Sequence, residues 1–152
     1  MAKLSACALL PIVTIVVILF LRTTPPFETV GGEFHTLKSE KWTLVNYFAE
    51  WCKPCLEEIP ELNALAENES VRVFGVSYDK LSETDIISIV ERHHIQFPLI
   101  KTASLESFPL SLPSVLPTTY VLSPKGEVVH VIRGKVTEGE IDALLEQYAI
   151  NH

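Results

Sequence analysis

The residues of this chain best suited to covalent chemistry are two cysteines three positions apart, in Trp51-Cys52-Lys53-Pro54-Cys55. They follow an apolar run, Leu44-Val45-Asn46-Tyr47-Phe48, and open a helical pattern. Residues at i and i+3 share one helix face, so the two sulfurs can meet without moving the backbone. A first helical turn presents unpaired N–H groups and a partial positive charge, and both favour a thiolate over a thiol. The thiolate is the nucleophile of disulfide exchange, so this position makes a cysteine reactive. Pro54 lacks an N–H, a donor that a first turn leaves unpaired anyway. Two other uses of the pair compete. A zinc half-site needs a second ligand pair, yet there is no other C-x-x-C, Cys7 lies in an apolar segment, and the neighbours His93 and His94 point to different helix faces. A purely structural disulfide is the second, although a domain of this size can fold without a staple.

The flanking pattern supplies the elements that must hold the pair. Trp42–Phe48 and Val71–Ser77 read as buried strands. Between them, Pro54 to Ala66 reads as one helix, kinked by Pro60. Ile59, Leu62, Leu65 and Ala66 form its apolar stripe, with Glu57, Glu58, Glu61 and Glu67 on the other side. Ser82 is the expected cap of a second helix that runs to about His94. Phe97–Ile100 reads as a short strand, and Lys101–Leu116, with Pro109 and Pro113, as irregular chain holding at most one helical turn. Thr118–Leu122 and Glu127–Arg133 form a hairpin around Ser123-Pro124-Lys125-Gly126. Thr137–Tyr148 closes the chain as a helix, with Thr137 and Glu140 as a capping box. Upstream, Glu28–Leu37 with Gly31-Gly32 is a short hairpin or edge strand. This order predicts an α/β fold: a mixed sheet with helices on both faces and the cysteines at the carboxyl end of a central strand.

The chain has 152 residues, a formal net charge of −7 and 47% hydrophobic residues. That length suggests one domain. The acidic balance, with no Lys/Arg cluster, excludes nucleic acid as an expected partner. Leu4–Leu21 carries no charge and is bounded by Lys3 and Arg22. As a helix it would span roughly 27 Å, close to the hydrocarbon thickness of a bilayer. The exit, Arg22-Thr23-Thr24-Pro25-Pro26, does not look like a signal-peptidase site, so the segment is expected to remain as an anchor. Residues 1–22 are therefore expected to anchor the chain in a membrane, 23–27 to link, and 28–150 to form the domain. Lys3 and the amino terminus against Arg22 weakly favour an amino terminus in the cytoplasm and the cysteines outside, in an oxidising compartment.

Three motifs then carry a resemblance over about residues 27–150. They are Phe48-Ala49-Glu50-Trp51-Cys52-Lys53-Pro54-Cys55; Pro60; and Leu116-Pro117-Thr118-Thr119-Tyr120 followed by Ser123-Pro124-Lys125-Gly126. With them the chain resembles thioredoxin-fold proteins and, more narrowly, the membrane-anchored TlpA/ResA-like thiol–disulfide oxidoreductases of bacteria. The resemblance implies that Cys52 attacks as thiolate and Cys55 resolves, that this redox-active pair works without a cofactor, and that Trp51 and Pro54 support it. It implies a cis Pro117 against the pair, with Leu116 and Pro117 binding an extended client segment. The acid that thioredoxins bury six residues before the first cysteine is Asn46 here, which cannot titrate. The resemblance places an assisting carboxylate in the region Ser77-Tyr78-Asp79-Lys80, with Asp79 the candidate and Lys80 the competing alignment; Glu50 is the other nearby carboxylate. It favours a periplasmic, inner-membrane reductase of disulfide-containing clients, such as apocytochrome c cysteines, recharged by a membrane electron donor of the DsbD/CcdA-like kind. A disulfide-donating oxidant, or a client-binding module without turnover, are the competing functions.

Overall fold

A computed structural model describes residues 25–150, so the expected anchor, 1–22, lies outside the described residues. The elements are β1 (Phe27–Glu28), β2 (Phe34–His35), β3 (Trp42–Phe48), α1 (Lys53–Glu57), α2 (Ile59–Glu67), β4 (Val71–Ser77), α3 (Glu83–His93), a 3-10 turn (Thr102–Glu106), β5 (Thr118–Leu122), β6 (Val128–Arg133) and α4 (Glu138–Ile150). Among the described residues no helix is long and apolar enough to cross a membrane.

The main sheet has the order β4-β3-β5-β6. β3 runs parallel to β4, from Trp42↔Val71 to Phe48↔Ser77, and antiparallel to β5; β5 runs antiparallel to β6. β3 is thus central, and its mostly apolar sequence, interrupted by Thr43 and Asn46, reflects burial on both faces. The expected strand at 97–100 makes only isolated bridges, Leu99 to Gly75 of β4 and Ile100 to Thr29. Gly75 donates to the Pro98 carbonyl (2.9 Å) and accepts from Ile100 N–H (2.8 Å). Pro98 has no N–H with which to extend a ladder. The segment also sits very close: a Cβ at Gly75 would lie 2.2 Å from Leu99 Cδ2, so any larger residue requires the Leu99 side chain to move.

Both connections that step outward from β3, first to β4 and then to the 97–100 bridge, join parallel neighbours. Right-handed crossovers in the same direction place their helices on the same face. The packing agrees. Leu62 and Leu65 of α2, Ile86 and Ile89 of α3 and Ile141 of α4 form one cluster with Leu44, Val73 and Val121. The opposite face, with Val45, Phe74, Val76 and Leu122, is covered by Phe27, Leu37, Ile100 and Phe108. The expectation of helices on both faces is corrected accordingly: the second face is closed by the amino-terminal hairpin and the 97–108 segment. Phe27 sits at its centre, edge-on to Phe74 (5.1 Å) and Phe108 (5.2 Å).

The helix expected from Pro54 to Ala66 is divided. Pro60 cannot offer an N–H to the carbonyl one turn back. The break falls at Glu58 (φ −91°, ψ −8°), and α2 begins with Leu62 N–H on the Glu58 carbonyl at 3.1 Å. Ser82 caps α3 by accepting from Asp85 N–H at 3.2 Å. Thr137 caps α4 by accepting from Glu140 N–H at 3.3 Å. The one helical turn allowed in the irregular stretch is the 3-10 turn at Thr102–Glu106.

Candidate active site

β3 delivers the chain to the site. Past Phe48, the turn is fixed by Tyr78 N–H on the Phe48 carbonyl (2.8 Å) and Cys52 N–H on the Ala49 carbonyl (3.1 Å). Cys52 is the N-cap of α1, in extended conformation, and its carbonyl accepts from Cys55 and Leu56 N–H. The two cysteines form a disulfide with Cα atoms 5.3 Å apart. Cys55 is fully buried and Cys52 is 5% exposed.

The sheet register brings the prolyl loop to the same end. The Leu116–Pro117 peptide bond is cis. Thr118 pairs with Tyr47, so Pro117 stands level with Phe48, four residues before Cys52. Pro117 is buried, and Leu116 packs against the cluster that contains both cysteines.

The supporting residues fall into distinct settings. Trp51 is 67% exposed; its indole N–H donates to Asp79 Oδ2 at 3.0 Å and its ring stands edge-on to Tyr78. Asp79 therefore holds the tryptophan, and Lys80 beside it is exposed. Glu50 Oε1 is bound by Arg92 and, at 3.0 Å, by His93 Nε2. The hydrogen bonds from His93 and Arg92 hold the Glu50 carboxyl below its ordinary range, which makes it a poor proton acceptor at neutral pH. Glu50, Trp51, Asp79, Leu81, Ile89 and Arg92 line an open groove of about 540 Å³ beside the cysteines.

One residue lies where the sequence pattern did not put it. Glu58, expected on the solvated side of its helix, is 1% exposed. Its Oε1 accepts from Asn46 Nδ2 (2.8 Å) and its Oε2 from Val136 N–H (2.9 Å). Asn46 donates also to Thr119 Oγ1 (3.0 Å), which ties the carboxylate to β3 and β5. Burial pushes the Glu58 carboxyl up to about 7, against the opposing pull of Val136 N–H, Asn46 and the Lys135 ammonium. Two signals in the sequence pointed this way. Glu58 is three residues after Cys55, on the same side of the turn, and Asn46, standing in place of an acid, offers an amide N–H to a carboxylate from elsewhere.

The AhpC/TSA family model matches residues 22–131. The chain is 28% identical over 112 residues to "Thiol-disulfide oxidoreductase ResA" of Oceanobacillus iheyensis, covering 72% of this chain and 58% of that protein. It is 28% identical to the protein of that name from Geobacillus kaustophilus, covering 82% and 75%. It thus spans less than two thirds of the former relative and three quarters of the latter. Among solved structures, StoA from Bacillus subtilis superposes with a TM-score of 0.66 at 19% identity, over 78% of this chain and 93% of that one, a likeness of fold. The chain has a thioredoxin-like fold, belongs to the AhpC/TSA family, and is related there to enzymes named thiol–disulfide oxidoreductases.

Proposed function

We propose that the chain is a membrane-tethered enzyme that reduces disulfides of client proteins outside the cytoplasm. The observation that carries this reading is the Cys52–Cys55 disulfide set at the end of β3, level with the cis-Pro117 loop and with Cys52 the less buried residue of the two. In the reduced enzyme, the Cys52 thiolate attacks one sulfur of a client disulfide. The client S–S bond breaks, one client sulfur leaves as thiolate, and a mixed disulfide forms. Cys55 gives up its proton and attacks Cys52 Sγ, releasing the second client thiolate. The client gains two electrons, and the enzyme is left with the Cys52–Cys55 bond. Glu58, buried one turn beyond Cys55 with its carboxyl pushed up to about 7 by that burial, is suited to take the Cys55 proton. Asp79 and Glu50 act on the loop instead, by holding Trp51 and anchoring the turn before Cys52. Leu116 and Pro117 offer backbone to an extended client segment, a form of strand addition.

The uncharged Leu4–Leu21 segment supports a tether that keeps the site near a membrane thiol donor, which would return the pair to the reduced state. Apocytochrome c cysteines are the client class that the ResA relationship favours.

The test is Cys55→Ser in the full chain. It should accumulate a covalent adduct with client proteins through Cys52, released by added thiol, while Cys52→Ser accumulates none. No adduct with any client would remove the two-cysteine mechanism. A strongly negative reduction potential, measured with insulin reduction, supports the reductase, and a high one the oxidant. Deleting residues 1–22 should lower activity in cells; full activity would remove the need for a tether.

A further inference from the structure

The turn after β6 touches both halves of the site. Gly134 N–H donates to the Pro117 carbonyl at 2.9 Å, and Val136 N–H donates to Glu58 Oε2 at 2.9 Å. Between them, Lys135 Nζ donates to Glu57 Oε2 at 3.0 Å. Three consecutive residues thus fasten the cis-prolyl loop, α1 and the buried carboxylate to one another. Gly134 has φ +114°, a conformation open to glycine and strained for other residues, so the turn is built around this geometry. Lys135 is half-exposed, yet its ammonium is held by the neighbour of Glu58 in sequence, over the same turn that delivers the Val136 N–H.

We propose that Lys135 is a positioning residue for disulfide exchange, whose ammonium, fixed on Glu57, keeps Glu58 ready to accept the Cys55 proton while a client is held at Pro117. This rests on the reading of Glu58 given above. The groups around the Glu58 carboxyl define the case. β3 contributes the neutral Asn46 amide, and β5 the Thr119 hydroxyl behind it. Its own helical segment contributes Glu57 and Glu61, and Glu61 is occupied by Glu138 N–H on α4. The turn contributes Lys135 and the Val136 N–H. Among the described residues that contact or adjoin Glu58, Lys135 brings the positive charge. Lys53 reaches only the outer Glu57, at 3.7 Å. A nearby positive charge favours the ionised carboxylate, and an ionised carboxylate is the form that can take a proton.

The experiment compares the full chain with Lys135→Met and Lys135→Arg. The first measurement is the Glu58 titration in oxidised protein, by carbon NMR of labelled glutamate. The second is the resolving step in reduced protein, with a nitrobenzoate disulfide as probe: its first thiolate reports attack by Cys52 and its second reports attack by Cys55. Lys135→Met should raise the Glu58 midpoint and the midpoint of second-thiolate release together, by about half a pH unit. Below the midpoint this slows the second release about threefold, with the first release unchanged. Lys135→Arg should restore both. If neither midpoint moves in Lys135→Met, Lys135 has no such role and the proposal is overturned. If the Glu58 midpoint moves and the release profile does not, Glu58 is not the proton acceptor, and the reading beneath the proposal is the one that fails.

Discussion

Replacing Glu58 by Gln should change how the stability of the oxidised protein depends on pH. The carboxyl is raised from 4.5 to about 7, chiefly by burial. Between those values the folded protein holds a proton that the unfolded chain has released. Stability therefore falls as pH rises through this window: the contribution is complete below about 4.5 and lost above about 7. At about 1.36 kcal/mol per pH unit, the change amounts to about 3 kcal/mol. Gln cannot ionise, so its variant lacks this slope. It also places an amide against one of the two donors, Asn46 Nδ2 or Val136 N–H, which costs about 1–3 kcal/mol at every pH. The difference between the two proteins must therefore move with pH in favour of Gln. Urea unfolding of oxidised wild type and Glu58→Gln from pH 4.5 to 8.5 isolates the effect, because the disulfide removes both thiols from the titration. In melting temperature the relative change is about 10 °C for a domain of this size. Two curves that stay parallel across the window would refute the argument, since a carboxylate that ionises in the fold as freely as in the unfolded chain cannot be held in a low-dielectric pocket.

Other outcomes follow from the packing and the site. Gly75→Ala forces a methyl group onto Leu99 and should cost about 1–3 kcal/mol in denaturant unfolding. Phe27→Ala empties the centre of the second core, where two aromatic rings meet it edge-on, and should cost about 3–5 kcal/mol in the same assay. Asp79→Ala should alter Trp51 emission while changing stability by less than about 1 kcal/mol, because it frees an exposed indole. Glu50, held below its ordinary range by His93 and Arg92, contributes stability above pH 4.5 that is lost as pH falls through its folded value. Glu50→Gln should flatten that acid limb, seen by following unfolding between pH 5 and pH 2.

Much of the site was legible before any coordinates. The C-x-x-C spacing, the apolar run before it and the Leu116-Pro117-Thr118 segment each have local physical meaning: a shared helix face, a buried strand, a proline before a strand. Ser82 and Thr137 marked their helix starts for the same reason, since a cap is a contact between residues three apart. Glu58 was misread because periodicity describes an unbroken helix. Pro60 interrupts the ladder at Glu58 itself, and the carboxylate leaves the solvated face to meet Asn46 and Val136. Glu50 and Asp79 stood out as carboxylates close to the cysteines in sequence or by resemblance, but their partners, Arg92, His93 and Trp51, lie 42, 43 and 28 residues away and determine what each carboxylate can do.

The sequence by itself determined the C-x-x-C pair, the order of strands and helices, and the turn residues, because these depend on neighbours a few positions apart. Only the tertiary structure decided that all the helices packed on the sheet share one face, that Pro117 stands level with the end of β3, and that a glutamate is buried one turn beyond Cys55. Those outcomes depend on crossover handedness, strand register and desolvation, which bring together residues far apart in the chain.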